Sequence, residues 1–235
     1  MLKSFNPENI LFIDIETVPL SPSFSMLPAT YQKLWEKKSA LLKHVEGESP
    51  ETLYERAGIY AEFGKVICVS TAWLHNGIIT CRSFYGDNEL TLLAAFNSFL
   101  KEFFGKREQI LCAHNGKEFD FPYLSRRMLI NGIELPAGLD IAGKKPWEVN
   151  LLDTMELWKF GDYKSYTSLA LLTAVFNIPS PKDDIDGSDV GRVYWQEHDI
   201  DRIARYCEKD AVAVVQLFLK YQGRNIIPAE SIIIA

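Results

Sequence analysis

Cysteine is scarce in this 235-residue chain: Cys68, Cys81, Cys112 and Cys207 are the only four, and no two form a CxxC pair. That excludes a zinc ribbon and a dithiol redox centre. Their wide spacing in apolar surroundings fits a reduced intracellular setting, with the cytoplasm as the simplest location. Long apolar runs are missing as well. None reaches the roughly 18 residues that a membrane-spanning helix needs, and the start, Met1 to Pro7, lacks the apolar stretch of a secretory signal. There is no basic excess, since 25 Lys and Arg face 31 Asp and Glu for a net charge of −6. This argues against a passive nucleic-acid coat protein. It leaves room for an enzyme whose site is a cage of carboxylates neutralised by bound cations. Internal repeats and low-complexity segments are also absent.

What is present suits a packed core. Hydrophobic residues make up 47% and charged residues 24%, so disorder is not expected and the length fits one domain or two intimate ones. Ile10-Leu11-Phe12-Ile13 reads as a short buried strand, with Asp14-Ile15-Glu16-Thr17 at its exit and Pro19 and Pro22 as stops. Helix is expected from about Pro28 to Ala61, with a second start at Ser49-Pro50-Glu51-Thr52. Val66–Trp73 and Ile78–Phe84 flank His75-Asn76-Gly77, a hairpin signal. An amphipathic helix over Asn88–Phe104, a strand at Ile110–Ala113 and a helix over Asp120–Ile130 follow. A strand end at Leu151-Leu152-Asp153-Thr154, a helix over Tyr166–Phe176 and a polar loop over Pro179–Asp189 come next. The last helix, about Asp199 to Tyr221, carries Ile200, Ile203, Ala204, Cys207, Ala211, Val214, Val215 and Phe218 as one buried stripe. This order predicts an α/β layer fold with a mixed sheet.

Three small motifs carry chemistry. Asp14 and Glu16 stand two apart on a strand, so both carboxylates face one side. Asp120 follows Asn115-Gly116-Lys117-Glu118-Phe119 at the start of a helix, where it could also be an ordinary N-cap. Tyr206 and Asp210 stand four apart on one helical face, at the shoulder of the buried stripe. A mid-helix aspartate has poor propensity and no capping role, which favours a functional reading over a plain surface residue.

Together these residues resemble the DEDD superfamily of 3′–5′ exonucleases. The resemblance extends most fully to the predicted stand-alone exonucleases that are similar to the exonuclease domain of family B DNA polymerases. Asp-Ile-Glu-Thr at 14–17, Asn-x-x-x-Phe-Asp-x-Pro-Tyr-Leu at 115–124 and Tyr-Cys-x-x-Asp at 206–210 match as they stand. Tyr206, with Arg205 rather than histidine before it, marks the tyrosine branch. The resemblance implies a ribonuclease H-like (DnaQ-like exonuclease) three-layer α/β fold, with a mixed central sheet and a helical insertion after the first strand. It implies one exonuclease domain over residues 1–235, an insertion at about 23–62 and an apolar tail at about 222–235. The cofactors implied are two divalent ions, Mg²⁺ or Mn²⁺. Asp14 would bridge both, Glu16 and Asp210 would complete the first site, and Asp120 would hold the second through water. Tyr206 would orient the attacking water. Thr17, Asn115, Phe119 and Lys182 would face substrate, a single-stranded 3′ end with DNA favoured over RNA, although Lys182 reads more plainly as a solvated lysine.

Other polar groups read more plainly. Asp153 is expected to cap a helix and His114 to close a strand. The loop from Lys182 to Asp189 lacks the alternating acids and terminal glutamate of a calcium loop. Lys33, Lys37, Lys38 and Lys43 around Trp35 could guide a strand or form a solvated face, and Arg126-Arg127 and Lys144-Lys145 are treated alike. The apolar tail is expected to pack on the domain or on a neighbour. Two other functions stay open: a non-catalytic nucleic-acid-binding module, and a proofreading subunit acting in trans with a replication or repair protein. No membrane partner is expected.

Overall fold

A computed structural model describes residues 2–42, 47–105, 110–145, 148–162, 166–179 and 185–235. Six strands form one sheet: β1 (Ile10–Pro19), β2 (Gly64–His75), β3 (Ile78–Tyr85), β4 (Ile110–Ala113), β5 (Leu151–Asp153) and β6 (Ile232–Ile234). Their order is β5-β4-β1-β2-β3-β6. β1–β2 and β2–β3 pair antiparallel, whereas β1–β4, β4–β5 and β3–β6 pair parallel. The sheet is mixed, as the pattern of elements predicts.

Helices cover both faces. On one, α3 (Glu89–Phe104) and α4 (Asp120–Ile130) close a core with Leu11, Ile13 and Ile15 of β1. On the other, the long final helix packs Ala211, Val214, Val215 and Phe218 against Ile10 and Phe12. Alternation along β1 therefore sends odd residues to one layer and even residues to the other. The shorter helices are α1 (Ala29–Ser39), α2 (Pro50–Leu53), α5 (Thr154–Lys159), α6 (Leu169–Val175) and α7 (Val190–Arg192). A π-helical turn, Val193–Glu197, leads from α7 to the final helix, α8 (Ile200–Tyr221).

Several expectations need correction. β1 does not end at Ile13 but runs on to Pro19, because Asp14 to Thr17 find ladder partners from Ser70 to Val66 on β2. The ladder slips between Glu16 and Thr17, where β2 holds one extra residue, Ile67. Ile67 and Cys68 consequently both face the α8 layer. The insertion does have the second helix start expected at Ser49, whose side chain and that of Thr52 cap each other's backbone. Trp35 cannot guide a strand, being wholly buried in the insertion's own core with Phe24, Leu53, Tyr54 and Phe63. Lys43 lies outside the described residues. Arg127 is buried too, paired to Glu89 and donating to the Ala61 carbonyl at 2.8 Å. The helix expected from Tyr166 starts only at Leu169, capped by Ser168. The apolar tail does pack on the domain, as β6 beside β3.

The insertion returns to the sheet at Gly64, where a Cβ would lie 2.3 Å from the Tyr123 hydroxyl and 2.7 Å from the Gly58 carbonyl. Only glycine lets α4 and the insertion meet there.

Candidate active site

The parallel pair β1–β4 ends at Phe12 and Cys112, since β4 stops at Ala113 while β1 continues. This leaves a notch beside the outer half of β1. Asp14 and Glu16 sit there on the even face, toward α8. The Asp120 side chain reaches the open edge and accepts the main-chain N–H of Ile15. Asp120 is thus the first residue of α4 and not its N-cap, which is Phe119. From the other side α8 brings Asp210 and Tyr206, whose hydroxyl hydrogen-bonds the Asp210 carboxylate.

All four acids titrate high. Asp14 and Glu16 lie well above the usual carboxylate range, first through burial and next through the charge of Asp210. Burial lifts Asp120 to about 7, and Asp153 adds to the rise. Asp210 reaches about 6 by burial, with the Tyr206 hydrogen bond opposing. Tyr206 is raised as well, by burial and then by Asp210, and keeps its proton at neutral pH. Among the described residues, none of the four acids is paired with Lys, Arg or His. One oxygen each of Asp14 and Glu16 and the Cys207 sulfur lie within 4.8 Å of one another. Such a cluster of hard oxygens lacking positive charge fits divalent cations of the Mg²⁺ or Mn²⁺ class.

The loop before Asp120 is held by Asp153, at the end of β5. Its carboxylate accepts from the N–H groups of Asn115 (2.9 Å), Lys117 (3.1 Å), Met155 (2.9 Å) and Glu156 (3.3 Å). Asp153 therefore caps α5, as expected, and also fixes the loop. Within it Asn115 takes φ +62°, and its buried side-chain oxygen has no partner among the described residues. Gly116 is required where a Cβ would stand 2.3 Å from that of Ala113. Phe119 is partly exposed, its ring 5.3 Å from Tyr123. Thr17 faces the α4 layer and hydrogen-bonds the Tyr123 hydroxyl. His114 bridges Thr154 and the Thr167 carbonyl, both at 2.9 Å. Lys182 lies outside the described residues.

Comparison with known proteins gives the chain's family and fold. Residues 59–225 match a family described as predicted 3′–5′ exonucleases related to the exonuclease domain of PolB. The chain belongs to this family. Among relatives of this polymerase-B-like exonuclease, a DNA polymerase of Desulfurococcus sp. (strain Tok) is 25% identical over 199 residues, 77% of this chain and 24% of the relative. A DNA polymerase of Pyrococcus glycovorans is 26% identical over 197 residues, again 77% of this chain and 24% of that one. The chain thus spans about a quarter of the length of these relatives. The structure of a family B DNA polymerase from Pyrobaculum calidifontis superposes with a TM-score of 0.54 at 16% identity, covering 91% of this chain and 24% of that one. The fold is that of the polymerase's ribonuclease H-like exonuclease domain.

The family match begins at residue 59, beyond Asp14 and Glu16. It is β1 that brings those two acids to Asp120 and Asp210. Sequence reasoning passed over Cys207, which lies against Asp14. It stands in the apolar stripe and in the Tyr-Cys-x-x-Asp match, but neither gives it a role beside Asp14.

Proposed function

We propose that this polymerase-B-like exonuclease family member is an active, metal-dependent 3′–5′ exonuclease, built as one domain with a helical insertion. It acts on single-stranded nucleic acid, DNA in preference to RNA, by a two-metal-ion mechanism. The observation that carries this reading is the convergence, in the β1 notch, of four buried or half-buried carboxylates that have no cationic partner among the described residues. Asp14, Glu16, Asp120 and Asp210 are the residues to hold the ions. Bound there, two divalent cations supply Lewis acidity for the attacking water and for the leaving oxygen. The products are a nucleoside 5′-monophosphate and a chain shortened by one residue: water oxygen joins phosphorus, the P–O3′ bond breaks, and the departing oxygen takes a proton.

Tyr206 keeps its proton and donates to Asp210, which suits a group that orients water better than one that removes its proton. Asn115, whose buried side-chain oxygen has no partner among the described residues, is a proposed contact for a substrate hydroxyl. Phe119, at the mouth of α4, offers a ring on which a terminal base can stack. The names of the relatives, all DNA polymerases, favour DNA. In those relatives the matching region is part of a much longer chain. Because those relatives are DNA polymerases, a replication or repair protein is the proposed partner, which co-purification would test.

Single-stranded DNA and RNA labelled at the 5′ end, incubated with Mg²⁺, Mn²⁺ or EDTA, test the reading directly. A progressive ladder on DNA, blocked by a 3′-phosphate and abolished by EDTA or by Asp14→Asn, is expected. Cleavage of a closed circular strand, or full activity of Asp14→Asn, would overturn it.

A further inference from the structure

Behind the acid cluster runs an unbroken file of small hydrogen-bonding side chains with no part in the chemistry above. Cys207, on α8, has its Sγ 3.3 Å from Asp14 Oδ2 and 3.4 Å from the Asp14 main-chain oxygen. Cys68, the β2 partner of Glu16 in the ladder, hydrogen-bonds Cys207. The Cys68 sulfur is 3.6 Å from Ser70 Oγ, Ser70 Oγ is 2.8 Å from Ser83 Oγ, and the Ser83 hydroxyl donates to Glu208 Oε1 at 2.9 Å. Cys68, Ser70 and Cys207 are wholly buried.

The proton count fixes the direction of this file. A carboxylate only accepts, so Ser83 donates outward to Glu208, Ser70 donates to Ser83, and Cys68 donates to Ser70. Cys68 then has no proton to give Cys207, so the single Cys207 proton lies between the Cys68 sulfur and Asp14 Oδ2, and the carboxylate, 3.3 Å away, is the stronger acceptor of the two. Among the described residues, no other side chain donates to the Asp14 carboxylate. Regular ladder pairing puts Cys68 on the α8 side opposite Glu16, immediately before the β-bulge at Ile67.

We propose that Cys207 is a positioning residue of the metal site. Its thiol holds the Asp14 carboxylate in the orientation that cations need, and Cys68 walls the thiol in place. This deepens the two-metal reading and rests on it. Partners of this kind behind a metal-binding carboxylate typically contribute 10- to 100-fold in metal affinity.

The test measures Mn²⁺ binding from the loss of the free-ion electron paramagnetic resonance signal, with no substrate present. Cys207→Ala should weaken Mn²⁺ by about tenfold or more. Cys207→Ser, which restores a donor, should return affinity to within about threefold of wild type on the same scale. A wild-type affinity in Cys207→Ala would overturn the proposal. So would a Cys207→Ser chain as weak as the alanine variant, because shape and not donation would then be at work. A wild-type chain that binds no Mn²⁺ would overturn the metal reading itself and this role with it. Should the alanine variant fail to fold, the wild-type infrared S–H band that is lost in Cys207→Ser gives the answer. It should shift when Mg²⁺ is added, and an unmoved band would overturn the proposal.

Discussion

Removing a metal-site carboxylate should stabilise the metal-free protein, and Asp120 allows the size of the effect to be worked out. The residue is 4% exposed. Burial, aided by Asp153, lifts its carboxyl from an ordinary 3.8 to about 7. The folded chain therefore keeps a proton that the unfolded chain releases at lower pH, and stability falls as pH rises between those two values. A tenfold difference in proton affinity is worth about 1.4 kcal/mol, so the full loss is about 4 kcal/mol. Asp120→Asn removes the charge, keeps the volume, and leaves an amide oxygen to accept the Ile15 N–H. In EDTA at about pH 8 the variant should exceed wild type by up to about 4 kcal/mol, on the order of 10 °C in Tm for a chain of this length. At about pH 4 the two should nearly coincide. Adding Mg²⁺ at the higher pH should raise the wild type and move the variant less. Thermal unfolding followed by circular dichroism across this range is the assay. An Asp120→Asn chain less stable than wild type at the high-pH, metal-free end would refute the reasoning.

Further outcomes follow from the same geometry. Tyr206→Phe should lower kcat by about 10²-fold while keeping the Mg²⁺ dependence of the wild type. Asp210→Ala should be far more severe and should shift that dependence; single-turnover rates across a Mg²⁺ titration separate the two, and a fully active phenylalanine variant removes Tyr206 from the site. Gly116→Ala forces a Cβ to within 2.3 Å of the Ala113 Cβ and 3.0 Å of the Phe121 ring. Unfolding in urea should show a loss of about 1–3 kcal/mol, with activity falling as Asp120 is displaced. Asp153→Ala leaves the N–H groups of Asn115, Lys117, Met155 and Glu156 without their acceptor. It should cost about 2–4 kcal/mol, and an unchanged Tm would show that water replaces the carboxylate.

Features governed by local rules are legible in the sequence. The α8 stripe, the Asn88 cap of α3 and the Asn76-Gly77 hairpin are each decided by neighbours within a turn or two. So are the two-residue spacing of Asp14 and Glu16 and the four-residue spacing of Tyr206 and Asp210. Features that sequence reasoning misses are set by distant partners. The length of β1 depends on β2, some fifty residues on, which supplies ladder partners past a proline-rich end. Trp35 reads as part of a basic, exposed helix until Leu53, Tyr54 and Phe63 fold back over it. Arg127 resembles its neighbour Arg126 until Glu89 is found beside it. β6 could not be distinguished from any packed tail, since a parallel strand needs its edge to be offered by β3.

Two glutamines late in the chain determine how the molecule should come apart. Gln216 exchanges hydrogen bonds with both main-chain groups of Ile227, at 2.7 and 2.9 Å. Gln222 donates to the carbonyls of Leu2 and Phe5, at 2.9 and 2.7 Å. α8 is therefore stitched to the segments before β1 and before β6, which lie on opposite sides of it in sequence. The insertion, by contrast, has a core of its own around Trp35. Amide exchange should accordingly divide the chain into two classes. Amides of Ala29–Ser39 and of residues 51–59 would exchange by local opening, whereas those in the second half of α8 would wait for global unfolding. The second half of the helix that carries Tyr206 and Asp210 would then be among the slowest parts of the protein to move, a fixed anchor for the end that holds those two groups while the insertion breathes.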